Sequence, residues 1–386
     1  MNAQQLHDAT KGLVRVQDED LRYLCQVWER WQSLECQRDK ATSINLGQQR
    51  KDLFENSDNN IKRDRPLYLN RVNEKDRKLM EKWFVNGLFL PVEAKDRDLP
   101  FDNPTLTAPR ASENTAGSDA RSLLLMGHCQ ARAADGSAFV YCIQPQLIPF
   151  VAWDCLRVRE HTPGSCPSPM VMYHNYVTNL LQKVKSLILQ ERLYVQVSLA
   201  NSLQFPDHHQ SLQMPNYDRI FTSNLADYVG IPRLLQTFKP LLNASNSFSV
   251  IVTENMNWFK TIPTANIRSL PKSHLDEIIT AYCLDKKLSP MSNAIHNNSI
   301  IEYYDNSSHF LQYLRADIMA GGPGIPVLKD VPSFTSVKNY HGMQMRDFRK
   351  GLNRLAPFLC RVNKRDLNVM NGYDRAVEWC LSHSNS

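Results

Sequence analysis

Glycine is scarce where a nucleotide enzyme would need it. Only 14 of the 386 residues are glycine, and none falls in G-x-G-x-x-G or in a Walker-type lysine loop. Both motifs use glycine so that backbone N–H groups can close on phosphate, so a dinucleotide or ATP enzyme of either kind is disfavoured. SLLLMGHC offers a single glycine, and AGGPGIP (320–326) is a Gly/Pro turn without a basic or hydroxyl partner. C-x-x-C is missing as well; Cys129, Cys142, Cys155 and Cys166 are spaced by 13, 13 and 11 residues, which fits no common zinc module. They are expected to pack in a core. There is no G-x-S-x-G nucleophile elbow. No apolar run approaches the ~20 residues that cross a bilayer.

The N-terminus, MNAQQLHDATKGLVRV, lacks a basic segment followed by an apolar one, so no secretory signal is expected. Nine cysteines, an odd number, then fit reduced thiols in a cytoplasmic protein. The sequons at Asn243, Asn297 and Asn306 are not expected to meet a glycosylation machinery. The balance of 45 basic against 39 acidic residues leaves +6, and the densest basic cluster, Lys62-Arg63-Asp64-Arg65, already contains an acid. A nucleic-acid footprint would concentrate cations on one face. The expected partners are therefore proteins, with neither nucleic acid nor membrane.

What is present is an α/β pattern. Leu21, Leu24, Trp28, Trp31 and Leu34 recur at helical spacing behind the acidic cluster Asp18-Glu19-Asp20. Residues 38–66 are polar and charged and read as a loop or a disordered insert. EKDRKLMEKWFVNG reads as a second helix, with Leu79, Met80, Trp83 and Phe84 on its apolar side and Gly87 as its stop. Residues 88–120, with four prolines, read as a long surface loop. SLLLMGHCQA and AFVYCIQP predict a hairpin closed at Asp135-Gly136, and Ser168-Pro169 opens a long helix. Strand LYVQVSLA, strand DRIFTSN, helix IPRLLQTFKPLL and strand SFSVIVTENM follow in an order that predicts parallel pairing. Helices near 273–285, 307–319, 344–354 and 372–382 complete the chain. The spacing thus predicts a helical region (1–120), an α/β core (121–270) and a mostly helical region (271–386).

Candidate chemistry gathers at strand ends, where α/β proteins bind ligands. Asn201 follows LYVQVSLA at the place where an adenine-binding carboxylate would stand. In NYDRIFTSNLADYVG (216–230), Ser223, Asn224 and Asp227 could face a cleft with Tyr228 as its lid; alternatively they cap turns and satisfy backbone donors. Trp258 and Phe259, in NMNWF, are aromatics of the kind that anchor interfaces, or else core. Asp207-His208-His209 has the letters of a phosphoesterase metal site without recognisable companion carboxylates.

Several stretches carry a resemblance: DRKLMEKWFVNGLFLP with DNPTL, NYDRIFTSNLADYVGIPRLL, SVIVTENMNW and EYYDNSSHFLQYL. Together, over roughly residues 17 to 382, they resemble a domain of unknown function. That domain occurs in dynein axonemal assembly factors and in fungal and animal proteins that often carry a MYND-type zinc finger. YDRI-x-x-SNLADYVG is the most specific piece. The resemblance implies a class I methyltransferase-like fold, here an incomplete or degenerate Rossmann-like, mainly parallel sheet with helical additions at both ends. Family members usually begin with strands carrying a glycine-containing turn and an acidic strand end; neither is found here, nor is the MYND finger's Cys/His array. Missing strands would leave the edge beside Ile220 and Phe221 open, with SLLLMGHC, another chain or an upstream piece of this protein as the candidate to fill it. The expectation is a cytoplasmic, non-catalytic interaction or assembly protein without a cofactor. A second reading is an S-adenosylmethionine-dependent methyltransferase, with Asn224 and Asp227 on the acceptor side and Asn201 on the adenine side. A third is a metal-dependent hydrolase using Asp207, His208 and His209.

Overall fold

The structure, a computed structural model, describes residues 1–36, 73–86, 107–109, 139–141, 158, 160–162, 168–287, 300, 303–320, 333–356, 358–359 and 373–382. The chain divides into two compact units, Met1–Leu199 and Ala200–Ser386. The expected loop over 38–66, most of the 122–145 hairpin and the four spaced cysteines lie outside the described residues.

In the first unit, helix α1 (Ala3–Ala9) starts at Asn2, whose side chain and that of Gln5 form a reciprocal capping box. Strand β1 (Val14–Val16) and helix α2 (Asp18–Cys36) follow, then helix α3 (Glu74–Asn86). Strands β2 (Thr107–Pro109) and β3 (Phe139–Tyr141) pair antiparallel, so part of the expected 88–120 loop is a strand. Helix α4 (Pro169–Leu189) begins as its sequence requires: Ser168 Oγ accepts the Val171 N–H and proline stands in the first turn. Strand β4 (Val195–Val197) pairs in parallel with β1. Buried acids join these pieces. Asp76 accepts the Ser168 hydroxyl at 2.5 Å and the Asn73 amide at 2.7 Å, tying the starts of α3 and α4. Asp20 accepts the Leu199 N–H at 3.1 Å.

The second unit opens with helix α5 (Phe205–Ser211) and strand β5 (Arg219–Phe221). A short helix α6 (Ala226–Val229) then turns at Gly230 into helix α7 (Ile231–Phe238). Gly230 has φ +81°, a conformation that L side chains rarely adopt. Ile231, Leu234, Leu235 and Phe238 are all buried, the i, i+3, i+4, i+7 stripe of a core-facing helix. Strand β6 (Val250–Asn255) returns parallel to β5, with Ile220 opposite Ile251. Helices α8 (Lys272–Lys286), α9 (Ser307–Ala320) and α10 (Phe334–His341) lead to strands β7 (Met343–Met345) and β8 (Arg375–Leu381). The four-stranded sheet has the order β5-β6-β8-β7, with β5–β6 parallel and the other pairs antiparallel.

Several expectations are corrected here. Residues 372–382 and the start of 344–354 are strands, not helices. The physical reason lies in burial: Arg375 to Trp379 are all buried, so both faces of β8 are covered and the period-two alternation that marks a half-exposed strand is lost. The sheet is therefore mixed rather than mainly parallel. LYVQVSLA contributes only Val195–Val197, paired with β1 in the first unit. Because β7 and β8 join the sheet of β5 and β6, residues beyond 270 belong to the same unit as the strands at 219 and 250. Among the described residues, no helix is long and apolar enough to cross a membrane.

The core forms on both sides of β6 and β8. Trp379 is fully buried and its indole N–H donates to Thr253 Oγ1 at 2.9 Å. Trp258 is 1 % exposed, donates to the Tyr373 carbonyl at 2.6 Å, and packs its ring 4.9 Å from that of Phe310. Glu378, fully buried, pairs with Arg346 at 2.8 Å and also accepts the Leu355 N–H at 2.6 Å. Arg346 in turn donates to the Phe248 carbonyl. Losing one partner of such a pair strands a buried charge, which costs about 3–5 kcal/mol. Arg346→Ala is thus expected to lower the unfolding free energy by about that amount in urea titrations read by circular dichroism. Arg346→Met with Glu378→Gln, which removes the charge but keeps an acceptor for the Leu355 N–H, should recover most of the loss.

Candidate functional site at the carboxyl ends of the parallel strands

Beyond β5 the chain enters a polar turn whose shape is set by bonds to β6. The Thr222 N–H and hydroxyl both donate to the Val252 carbonyl, at 3.0 and 3.1 Å, so this hydroxyl faces a backbone acceptor and not a base. Ser223 is exposed and takes φ +49°, a left-handed conformation unusual for a residue with a β-carbon. Asn224 is half-buried in the 3-10 turn Ser223–Leu225, and the helical turns that follow have no side-chain cap.

Asp227 holds the turn after β6. Its carboxylate accepts the Met256 N–H at 2.8 Å and the Asn257 N–H at 3.2 Å, with the Asn257 amide a further 3.4 Å contact. Burial pushes its pKa up, while these donors and the neighbouring Asn255 pull it back. Of the two readings of this residue, the structure bears the one in which it satisfies backbone donors. Tyr228, next along α6, is 63 % exposed, as are Phe221 at 58 % and Met256 at 39 % on the same strand ends.

Behind this rim lies a set of buried polar groups. Asn255, the last residue of β6, is fully buried, and its side-chain amide lies beside Asp227 and Tyr313. Asp317 on α9 accepts the Ile231 N–H at the start of α7 at 3.1 Å, and its other oxygen has no hydrogen bond. Burial raises Asp317 to about 6; the Ile231 N–H opposes the rise and the Asp227 charge adds to it. Asp374 is likewise raised to about 6, first by burial, with the Arg375 charge opposing. The Tyr313 phenol is pushed well up by burial and by the charges of Asp317 and Asp227. Arg375 is the buried cation of this region. It donates to Asn306 Oδ1 and to the Asp374 carbonyl, and its guanidinium lies 5.7 Å from the Trp258 ring centre. Chemically, the cluster can donate and accept hydrogen bonds, and two of its carboxyl groups change charge near pH 6.

The remaining candidates fall elsewhere. Asn201 is exposed and caps the 3-10 turn Ser202–Gln204, accepting the Leu203 N–H at 3.0 Å. Trp258 is a core residue, which corrects its reading as an interface anchor: it fills the space between β8 and α9. Phe259 is half-buried and stacks on Tyr373 with ring centres 4.0 Å apart. Asp207, His208 and His209 are consecutive on α5, so helical geometry turns them to different directions. His209 is buried with Nε2 3.1 Å from the Pro215 carbonyl, and no group of three His, Cys, Asp or Glu able to hold a metal occurs among the described residues.

Sequence reasoning missed Asn255, Tyr313, Asp317, Asp374 and Arg375 as one group. One signal was available for Asn255, a polar residue at the carboxyl end of an otherwise apolar strand. The others are brought there by α9 and β8. Comparison of the chain with protein-family models, curated protein sequences and solved structures finds no match.

The raised Asp317 and Asp374 set a pH dependence with a definite sign. Their native pKa values, about 6, stand above the ordinary 3.8, so the native state holds extra protons between those limits. Stability is then fully present below pH 4 as far as these groups are concerned, and is lost as pH rises through 6. Asp317→Asn keeps an acceptor for Ile231 and removes the charge. It is expected to raise the melting temperature at pH 7.5 but not at pH 4, with a gain of about 3 kcal/mol as the upper scale. Thermal melts of both proteins across this range check it.

Proposed function

We propose that this chain is a cytoplasmic interaction or assembly protein, built on a degenerate methyltransferase-like α/β domain that does not itself catalyse a reaction. The parallel β5–β6 pair, joined through α6 and α7, supports a Rossmann-like ancestry for the core. So does the resemblance carried by YDRI-x-x-SNLADYVG to the domain of dynein axonemal assembly factors and MYND-finger proteins.

The observation that carries the reading is the engagement of Asp227. The one carboxylate of the polar turn is occupied by the Met256 and Asn257 backbone, and beside Ser223 the rim offers Phe221, Tyr228 and Met256 to solvent. Exposed apolar and aromatic side chains around a braced turn suit protein contact better than they suit proton transfer.

A methyltransferase remains the second reading, favoured by the buried, polar Asn255 at the carboxyl end of β6, the place where α/β proteins bind ligands. Calorimetric titration with S-adenosylmethionine and with its demethylated product separates the two. The interaction reading expects no heat of binding from either. Micromolar binding that Asn224→Ala abolishes would overturn it in favour of the enzyme.

A second measurement addresses the rim directly. Phe221→Ser with Tyr228→Ser should leave the melting temperature within about 2 °C of the parent, because exposed positions contribute little to stability. Proximity labelling in cells should lose a defined set of neighbours with the same variant. An unchanged set of neighbours would remove this face from the proposal.

A further inference from the structure

The corner between α6 and α7 is held from behind by one carboxylate. Gly230 stands at the corner with φ +81°, and α7 starts on it without a side-chain cap of its own. Asp317 of α9 supplies the missing acceptor, taking the Ile231 N–H at 3.1 Å. It is fully buried, its second oxygen has no hydrogen bond, and among the described residues it makes no ion pair. On the other side of the corner, α6 carries Asp227, whose carboxylate braces Met256 and Asn257, and Tyr228, which faces solvent. The short helix is thus fixed by an acid of its own in front and by an acid of α9 behind, and the Asp227 charge reaches Asp317.

The groups around Asp317 offer a negative charge little support. α6 contributes the Asp227 charge, α9 itself the Tyr313 phenol one turn back, and β6 the Asn255 amide beside Asp227 and Tyr313. α7 contributes the Ile231 N–H, its Arg233 being exposed. Arg315 of α9, Arg375 of β8 and His341 of α10 are engaged elsewhere. Arg315 lies over the Phe334 ring, Arg375 donates to Asn306 and the Asp374 carbonyl, and His341 Nε2 stands 3.0 Å from the Ile318 carbonyl. A charged Asp317 is therefore a buried anion with one donor and a second anion within reach. Protonation removes the repulsion and the desolvation cost, while the carbonyl oxygen still accepts from Ile231.

We propose that Asp317 is a proton-operated latch on the α6–α7 corner: with the proton on, α6 is held in place, and with it off the corner opens about Gly230 and the Asp227 brace loosens. Glycine at the corner suits a pivot, because it passes between backbone regions that other residues avoid. Burial first, then the Asp227 charge, puts the titration of Asp317 at about 6, above the ordinary 3.8. The sign follows from that rise. The extra stability of the closed corner is fully present below pH 4 and is lost as pH rises through 6. The use of the latch rests on the reading of the rim as a protein-contact face, since α6 presents Tyr228 there. The latch itself is a property of the free chain: the rim is more ordered in mild acid and more adaptable at neutral pH.

Hydrogen–deuterium exchange of the full chain, read by mass spectrometry and corrected for the intrinsic pH dependence of exchange, tests the latch without any partner. The peptide spanning 225–232 is expected to lose about tenfold in protection between pH 5 and pH 7.5, the change that a rise from 3.8 to about 6 produces over that interval. Peptides from β6 and β8 should change by less than about threefold, because local opening leaves the central strands closed. Asp317→Asn, which keeps an acceptor for Ile231, should hold the high protection at both pH values. Asp374→Asn should leave the change at 225–232 in place. Equal protection of the parent at both pH values, or a change that survives Asp317→Asn, overturns the proposal. So does an equal loss throughout β6 and β8, which makes Asp317 a determinant of global stability and not a latch. The rim's neighbours in cells are read separately with Phe221→Ser and Tyr228→Ser, so each reading fails on its own measurement.

Discussion

The pairing of β6 with β8 is the constraint from which the second unit is organised. Six registered positions, from Val250 opposite Cys380 to Asn255 opposite Arg375, place both strands in the middle of the sheet. Central strands have both faces covered, so every polar side chain on them must find a partner or carry a desolvation cost. Glu378 finds Arg346 and two backbone donors, Thr253 finds the indole of Trp379, and Arg375 finds Asn306. These bonds fasten the loops at 248 and 355 and the start of α9 to the strand pair. The sheet thereby determines where the helices can sit.

The same pairing creates the polar cluster at the carboxyl ends. β6 ends in Asn255 because the next residues turn under Asp227, and β8 begins in Asp374-Arg375 because it enters the sheet beside that turn. α9 closes the space with Tyr313 and Asp317, the latter bonded to the amino terminus of α7. A carboxylate there gains from the helix dipole yet loses hydration, and burial wins, which is why Asp317 sits near 6. Asp227 differs in degree because the Met256 and Asn257 N–H groups oppose its burial. Asp227, within electrostatic reach of both Asp317 and Asp374, thus does different work from them. One is a brace, and two are groups whose protonation follows pH.

Much of the helical framework was legible in the sequence. Ser168-Pro169, the stripe of Ile231, Leu234, Leu235 and Phe238, and the helices near 273 and 307 announce themselves through caps and a 3.6-residue period, both local properties. The parallel order of the strands at 219 and 250 followed from the short helix between them. RAVEWCL was not legible as a strand, because its charged residues are buried with partners of their own, Arg375 with Asn306 and Glu378 with Arg346, so that no alternation survives. Trp258 was ambiguous for a similar reason: an aromatic at a strand end reads alike whether a partner protein or Phe310 covers it.

NYDRIFTSNLADYVG by itself determined a strand end, a polar turn and a glycine free to make a sharp turn before Ile231-Pro232, since these depend on neighbouring residues alone. Only the tertiary structure decided what Asp227 does. A carboxylate two residues before Val229 has no local partner that identifies it. Its function in the fold comes from the Met256 and Asn257 N–H groups, which β6 carries to it from beyond the next helix.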